Sequence, residues 1–229
     1  MAETVKIQIG IVIQARMGST RLPGKVLMPL GNTTLLGWIV QRLRDLPWPL
    51  VIATGDRVQD DEIARQCEHL GVQCFRGSEQ DVLDRYYQCA AAYCFAHVIR
   101  LTGDNPCPDI EALQQLVALH LSSAADYTHS LGELPVGMGA EIIKFEALEV
   151  SWSEGHAAHH REHVNEFILE QPARFRIVKL TVPAGKHAPD LRFTIDSQED
   201  YQRIAEYLSG GVDAHIGTEA LIRRCSSFV

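Results

Sequence analysis

The sequence predicts an α/β protein in which a mostly parallel sheet is covered by helices. Short apolar, β-branched runs alternate with longer amphipathic segments along the chain, which is the pattern of strand–helix–strand units. The 229 residues are enough for one large hydrophobic core. No internal repeat or low-complexity segment interrupts the alternation, so we expect a single domain over residues 1–229.

The first half of the chain contains four predicted strands and four predicted helices in alternation. The predicted strands are Ile7–Ile13, Leu50–Thr54, Val72–Phe75 and His97–Leu101. The predicted helices are Thr34–Asp45, Asp60–Leu70, Asp81–Phe95 and Asp109–Leu121. Asp60 and Asp109 each precede an apolar helical face, so both are predicted to be N-caps.

The second half begins with a mixed region, residues 126–186, which we predict to be a substrate or dimerisation excursion from the main sheet. A His-rich helix is predicted around His156–Leu169, among three strands: Ala125–His129, Ala140–Lys144 and Phe175–Leu180. Arg192–Ile195 is then predicted to return to the sheet as its last strand. Ser197 and Asp200 have the spacing of a capping box, so a helix is predicted over Ser197–Leu208.

Composition excludes several classes of partner. Lys and Arg total 21 against 29 for Asp and Glu, a formal net charge of −8. An acidic chain of this kind is a poor non-specific binder of nucleic acids or anionic membranes. The six cysteines form no C-x-x-C pair, so we expect reduced thiols. The start MAETVKIQ lacks the order of a signal peptide, and no apolar run approaches the ~20 residues of a membrane span. We therefore expect a cytoplasmic protein.

Polar residues follow three of the predicted strands: Gln14–Lys25, Thr102–Asp109 and Asp196. In open α/β sheets, ligands bind beyond the carboxyl ends of the parallel strands. We therefore expect these three polar segments to meet at one edge of the sheet, although they are far apart in the sequence.

The segment QARMGSTRLPGK, Gln14–Lys25, is a basic loop with two glycines. Gly18 and Gly24 would let backbone N–H groups approach a phosphate chain. Its charge would be neutralised by three side chains: Arg16, Arg21 and Lys25. The loop is not a Walker A motif, because five residues separate its glycines and a valine follows its lysine, and G-x-G-x-x-G is absent. By composition alone, a solvated loop is an equal alternative.

The loop closely resembles the ARxxSTRLPGK signature of the cytidylyltransferases that make CMP-activated sugars. These include CMP-3-deoxy-manno-octulosonate synthetases, acylneuraminate cytidylyltransferases and, closest in wording, the spore coat polysaccharide biosynthesis protein F group. The resemblance continues through FRGSEQDVLDRYY (Phe75–Tyr87), RLTGDNP (Arg100–Pro106), REHV (Arg161–Val164) and LRFTIDSQED (Leu191–Asp200). It implies a three-layer α/β/α, Rossmann-like nucleotide-diphosphosugar transferase fold and a homodimer.

Two aspartates, Asp104 and Asp196, directly follow predicted strands. Mg²⁺ takes hard carboxylate oxygens, commonly one or two of them together with phosphate oxygens. From the residues alone, each aspartate is more commonly a helix-cap or turn residue. The resemblance implies instead that Asp104 and Asp196 hold a catalytic magnesium ion.

The resemblance also implies the reaction: a hydroxyl of a small acidic sugar attacks the α-phosphorus of CTP, and pyrophosphate leaves. The implied catalytic residues are Arg16, Lys25 and Asp104. The implied nucleotide-binding residues are Gln14, Ala15, Arg16, Gly18, Ser19, Arg21, Lys25, Arg76, Gly77 and Ser78. The implied sugar-binding residues are Glu141, Arg161, Glu162 and His163.

One segment departs from the family pattern. Relatives in the spore-coat group often carry a stretch like PDGLDVEVF beside the sugar pocket, whereas this chain reads LPVGMGAEII over Leu134–Ile143. Val136 and Gly139 replace both aspartates, and Glu141 remains. The identity of the sugar acceptor therefore stays open.

The histidines at His156–His163 invite a zinc hypothesis, since HHREH satisfies H-x-x-E-H with Glu162 as a base. A zinc site needs a third ligand and supporting hydrogen bonds, and the sequence downstream marks neither. We therefore favour sugar contact or helix packing over zinc.

Asp81 and Asp84 are predicted to start a helix and to form a surface ion pair with Arg85.

Trp38 and Trp48 are predicted to be core or dimer-interface residues rather than a stacking platform.

Alternative functions remain compatible with the sequence. The same loop and metal site would suit nucleotidyl transfer from another nucleoside triphosphate or to a sugar phosphate. A glycosyltransferase of this fold commonly carries Asp-x-Asp, where this chain has Gly103-Asp104-Asn105. A non-catalytic nucleotide-binding subunit is the remaining alternative.

Overall fold

The strands form one large sheet and one small hairpin in the computed structural model, which describes residues 8–225. Ile7 of the first predicted strand lies outside these residues. In chain order, the strands are β1 (Ile9–Gln14), β2 (Pro29–Leu30), β3 (Thr33–Thr34), β4 (Leu50–Gly55), β5 (Gln73–Gly77), β6 (His97–Thr102), β7 (Tyr127–His129), β8 (Glu141–Lys144) and β9 (Ile177–Lys179).

The helices lie between and after these strands. They are α1 (Leu35–Leu43), α2 (Asp61–Leu70), α3 (Val82–Ala92), α4 (Ile110–Ser122), α5 (Phe145–Glu154), α6 (Ala158–Glu162), α7 (Glu166–Leu169), α8 (Gln198–Tyr207) and α9 (Thr218–Cys225). Side-chain N-caps explain several of their starts. Asp81 accepts a hydrogen bond from the Asp84 amide and Asp109 from the Ala112 amide, and Ser197 forms the predicted capping box with Asp200.

The large sheet has the strand order β5-β4-β1-β6-β8-β7-β9. β5, β4, β1 and β6 are parallel to one another, β8 is antiparallel to both β6 and β7, and β9 is parallel to β7. Residues 126–186 therefore extend this sheet by three strands, while β2 and β3 form a separate antiparallel hairpin. The predicted mostly parallel sheet is confirmed.

Helices cover both faces of the sheet. Along β1, Ile11 and Ile13 pack into one apolar cluster with α1, α2, α4, α8 and α9, whereas Val12 packs into a second with α3, α5 and α7. A sheet buried on both faces explains why β1 reads as an unbroken apolar run. Trp38 is buried in the first cluster and Trp48 packs partly against it, which agrees with the predicted core role.

The predicted last strand is wrong. Arg192–Ile195 is extended and largely buried, but it makes only a single bridge, between Val136 and Arg192. Its amides bond to loops instead of a strand: the Ile195 amide donates to the Asp104 carbonyl at 2.9 Å and the Phe193 amide to the Val136 carbonyl at 2.7 Å. Because these partners are irregular, the apolar run forms a buried strap rather than an eighth strand of the sheet.

Three helical regions differ from prediction. The single helix expected over His156–Leu169 is two short helices, because His163 is extended and the chain turns there to bury Val164 completely. Neither α5 nor α9 was predicted. α5 begins immediately after β8, without the polar turn that would have separated the two elements in the sequence.

Two sequence-wide expectations can be compared with the structure. All six cysteines are free thiols, four of them buried, as expected for reduced residues. No helix within residues 8–225 is long and apolar enough to cross a membrane.

Candidate active site

A polar cleft of about 320 Å³ opens at the carboxyl ends of the central strands. Gln14 at the end of β1 pairs with Thr102 at the end of β6, so the basic loop and the TGDNP turn leave the sheet side by side. Asp196, at the end of the buried strap, also lines the cleft. The three polar segments expected at one edge of the sheet therefore do meet there.

Lys25 is the centre of this cleft. Its Nζ lies 2.9 Å from Asp104 Oδ2 and 3.3 Å from Asp196 Oδ1, and it donates to the Ile195 carbonyl at 2.6 Å. The side chain is nearly buried, at 8% exposure. Gly24 directs it there: this residue has φ +70° and starts the short 3-10 helix that carries Lys25, a conformation that favours glycine.

The two carboxylates remain partly open, with 29% of the Asp104 side chain and 17% of the Asp196 side chain exposed. Asp104 Oδ1 accepts a hydrogen bond from Thr102 Oγ1 at 2.6 Å. Asp196 also pairs with Arg21 at 2.9 Å and with Arg192 at 2.5 Å. Two hard oxygen donors facing a solvent-accessible cleft are a donor set that suits Mg²⁺, so these residues fit the ion that the resemblance implies.

Asp60 anchors the basic loop from below. Asp60 occupies the predicted N-cap position of α2, but its side chain makes no cap hydrogen bond to that helix. Its Oδ1 accepts instead from the Met17 amide at 2.7 Å, and its Oδ2 is buried without a partner. Burial raises the pKa of Asp60, although the Met17 hydrogen bond opposes the shift. Gly55 makes room for this contact, since a Cβ there would lie 2.2 Å from Asp60 Oδ2.

Arg85 is a cleft residue that the sequence analysis placed wrongly. It is 1% exposed and forms no surface ion pair. It donates to the carbonyls of Ser78 and Glu79, its Nε is buried without a partner, and it lines the cleft. Burial lowers the pKa of Arg85, and nearby Arg16 adds to the effect. Arg85 lies in DVLDRYY, a segment that resembles the family pattern, and this resemblance is the sequence signal that could have identified it as a site residue.

A second cavity of about 270 Å³ lies on the other side of β6. The segment that departs from the family pattern forms part of its wall, together with Arg100, Asn105 and Glu141. Thr102 lines both this cavity and the cleft, so the two spaces are neighbours. The Asn105 Oδ1 atom at this wall is buried and has no hydrogen-bond partner.

Glu141 belongs to a largely buried network that borders this second cavity. It is 5% exposed, pairs with Arg100 and accepts from the Tyr127 hydroxyl. Asn165 Nδ2 donates to it at 2.7 Å. Burial by itself would lower the pKa of Arg100, but the Glu141 carboxylate outweighs burial and raises it.

Ten of the predicted site residues line the cleft: Gln14, Ala15, Arg16, Ser19, Arg21, Lys25, Asp104, Glu162, His163 and Asp196. The remaining predicted residues do not line it: Gly18, Arg76, Gly77, Ser78, Glu141 and Arg161. Arg76 is occupied by the Gly55 and Arg57 carbonyls and by Asp61. Arg161 donates to the Trp152 carbonyl at 3.0 Å and lies 3.5 Å from Asp81.

The H-x-x-E-H pattern does not gather into one site. Glu162 and His163 line the cleft, whereas His159 and His160 turn to Glu170. The sequence marked no third ligand downstream of the histidines, but the fold brings Glu170 against both imidazoles.

The geometry defines a class of protein before any comparison with known proteins. A cationic loop and two carboxylates at the carboxyl ends of parallel strands are typical of nucleotide-binding α/β proteins. Three comparisons then identify the family within that class.

A family model described as "Cytidylyltransferase" matches residues 10–214. The "Spore coat polysaccharide biosynthesis protein SpsF" of Bacillus subtilis (strain 168) is 40% identical over 219 residues, which cover 92% of this chain and 91% of that protein. The "3-deoxy-manno-octulosonate cytidylyltransferase" of Tolumonas auensis is 33% identical over 101 residues, 42% of this chain and 39% of that protein.

A solved structure of a cytidylyltransferase from Leptospira borgpetersenii serovar Hardjo-bovis (strain JB197) superposes with a TM-score of 0.92 at 31% identity, covering 97% of this chain and 95% of that one. The chain belongs to the cytidylyltransferase family. The resemblance in the sequence and the fold that it implied are both confirmed.

Proposed function

We propose that this protein transfers CMP from CTP to a hydroxyl of a small acidic sugar, with release of pyrophosphate, in the biosynthesis of a polysaccharide precursor. The observation that carries the proposal is the contact of Lys25 with both Asp104 and Asp196 in a cleft beneath a cationic loop. Family membership supports the nucleotide. The octulosonate relative supports an acidic sugar, and the spore-coat relative supports the polysaccharide context.

The chemistry requires positioning and charge stabilisation rather than a covalent enzyme intermediate. The sugar oxygen forms a bond to the α-phosphorus of CTP and gives up its proton to solvent. The bond from that phosphorus to the oxygen shared with the β-phosphate breaks, and pyrophosphate leaves with the electron pair. Negative charge grows on the leaving group, and four cations in the cleft can stabilise it: Arg16, Arg21, Lys25 and Arg85.

Magnesium is part of the proposal. Asp104 and Asp196 would hold it, and when bound it would act as a Lewis acid at a phosphoryl oxygen. In the structure, the Lys25 ammonium neutralises the same two carboxylates. Their mutual repulsion is thereby reduced, although both carboxylates remain partly exposed.

The neighbouring cavity on the other side of β6 is the proposed acceptor pocket. It adjoins the cleft through Thr102, so a sugar bound there would approach a nucleotide bound in the cleft. The changed segment Leu134–Ile143 contributes to its wall, which is why the particular sugar is the variable part of the proposal. A homodimer is also proposed, and light scattering during gel filtration would test it.

The experiment is to measure pyrophosphate release from CTP and Mg²⁺ with a panel of sugar acids, beside parallel panels of nucleoside triphosphates and sugar phosphates. Acceptor-dependent release with CTP and a sugar acid is expected. Release only with another nucleotide or with a sugar phosphate would replace the proposal with that transfer. Nucleotide binding without release for any acceptor would favour a non-catalytic subunit, and glycosyl transfer from a nucleotide sugar would favour a glycosyltransferase.

A further inference from the structure

We propose that His159, His160 and Glu170 form a binding site for a divalent transition-metal ion of the Zn²⁺ type, separate from the nucleotide cleft. One ligand atom from each side chain lies within 4.8 Å of the others. Within residues 8–225, no second group of three His, Cys, Asp or Glu side chains meets this distance. The cleft itself, which offers two carboxylates, is a different kind of site.

The two imidazoles converge on the two oxygens of one carboxylate. His159 Nε2 lies 2.7 Å from Glu170 Oε1, and His160 Nε2 lies 2.8 Å from Glu170 Oε2. A tetrahedral zinc ion with bonds of about 2.0–2.1 Å holds its ligand atoms roughly 3.3 Å apart. Each nitrogen–oxygen pair would therefore open by about half an ångström, and the half-exposed side chains of His159 and Glu170 have room to do so.

One ligand is already held in place by packing. The His160 side chain is only 11% exposed, and its ring packs edge-on against Phe167, with ring centroids 5.3 Å apart. Its Nδ1 is buried and makes no hydrogen bond, so Nε2 is the nitrogen directed to a partner. A fixed imidazole with one available nitrogen reduces the entropy lost when an ion binds.

The donor set decides the class of ion. Two imidazole nitrogens and one carboxylate suit Zn²⁺, Ni²⁺ or Cu²⁺, whereas Mg²⁺ prefers an all-oxygen environment. Three protein ligands leave a further position for water. The ion would join α6 to Glu170, which follows α7 directly. It would therefore clamp the two ends of a segment whose middle presents Glu162 and His163 to the cleft.

The test uses the full-length protein after metal removal. Zn²⁺ is titrated against a competing chromogenic chelator in the presence of Mg²⁺, and thermal unfolding is recorded with and without Zn²⁺. We expect one zinc ion per chain and a higher unfolding midpoint with zinc. His160→Gln and Glu170→Gln should each weaken zinc binding by at least about tenfold and abolish the zinc-dependent rise in midpoint.

The matched control is His156→Gln, which removes an exposed histidine of the same segment that lies outside the cluster; it should bind zinc like the wild type. Glutamine at position 160 can still donate a hydrogen bond to Glu170, so His160→Gln should remain folded. The unfolding midpoint of each variant without zinc checks that it is folded. No saturable zinc binding by the wild type overturns the proposal, and so does equal affinity in folded Glu170→Gln. The readouts need no CTP, so their failure would leave the proposed cytidylyl transfer untouched.

Discussion

Two cation–carboxylate clusters lie near the end of β6, one in the cleft and one between β6 and β8, and they differ in how completely their charges are satisfied. At the cleft, Lys25 joins Asp104 and Asp196, and both carboxylates remain partly exposed. In the other cluster, 14% of the Arg100 side chain and 6% of the Glu141 side chain are exposed, and Tyr127 and Asn165 also bond to the carboxylate. The first cluster keeps open oxygens for a ligand, whereas the Glu141 carboxylate of the second is paired within the protein and only the buried Nε of Arg100 is left without a partner.

The comparison shows that pairing a cation with a carboxylate does not by itself determine whether the pair stabilises the fold or binds a ligand. A buried pair whose lone pairs are satisfied contributes order to the fold and is costly to break. A half-open pair at the ends of parallel strands is available for ligand binding. Four substitutions or conditions test the distinction, and they follow from the largest expected effect to the smallest.

The largest loss of stability should come from Glu141→Gln. The change removes the charge that compensates buried Arg100 and should lower the free energy of unfolding by about 3–5 kcal/mol. Urea unfolding at neutral pH measures it. Glu154→Gln is the control, because its pair with Arg174 lies on the surface and its loss should leave stability nearly unchanged. Wild-type stability in Glu141→Gln would show that the pairing of Glu141 with Arg100 does not stabilise the fold.

In the cluster of Lys25, Asp104 and Asp196, a substitution should reduce activity rather than stability. Asp104→Asn keeps the side-chain shape but removes a charge beside Lys25, so pyrophosphate release from CTP should fall at least about a hundredfold while the unfolding midpoint stays close to that of the wild type. Asp45→Asn, at a side chain that is 84% exposed, provides the comparison. Normal turnover in folded Asp104→Asn would contradict a catalytic role for the cleft.

Arg85 tests whether a buried cation can still serve the open cluster. Arg85→Met keeps the apolar stem but removes the guanidinium that lines the cleft, so the KM for CTP should rise about tenfold. Arg85→Lys should recover part of that loss by restoring the charge. Steady-state kinetics over a range of CTP concentrations separates KM from kcat. An unchanged KM in both variants would show that Arg85 only supports the Ser78 and Glu79 carbonyls.

The pair of His97, which is partly exposed, and His120, which is buried, extends the same comparison to the effect of pH on stability. His97 Nδ1 lies 3.0 Å from His120 Nε2, and His120 Nδ1 lies 2.9 Å from Thr128 Oγ1. Burial, followed by the neighbouring His97, lowers the pKa of His120 to about 4, against about 6.5 in an unfolded chain. Between these values the unfolded state binds the extra proton, so stability is full above pH 6.5 and is lost as the pH falls toward 4.

At pH 5.5 this loss should be about 1 kcal/mol relative to pH 7.5. Urea unfolding at the two pH values measures it, and His120→Gln should reduce the difference. If the wild type and His120→Gln lose the same stability on acidification, then His120 is not the responsible group.

The sequence predicted the fold better than it predicted the surroundings of individual side chains. Strand and helix alternation depends on local periodicity, so the parallel half of the sheet and most helices were located within a few residues. Arg192–Ile195 failed because an apolar extended run reads the same whether its amides bond to a strand or, as here, to loops.

The sequence by itself determined the basic loop, the two carboxylates and the likeness to cytidylyltransferases, because these depend on residue types and their spacing. Only the tertiary structure decided which groups each side chain meets. It buried Arg85 beside the cleft, directed the Asp60 side chain to the loop rather than to its own helix, and brought Glu170 to His159 and His160. These contacts arise from the packing of separate elements, which local periodicity does not encode.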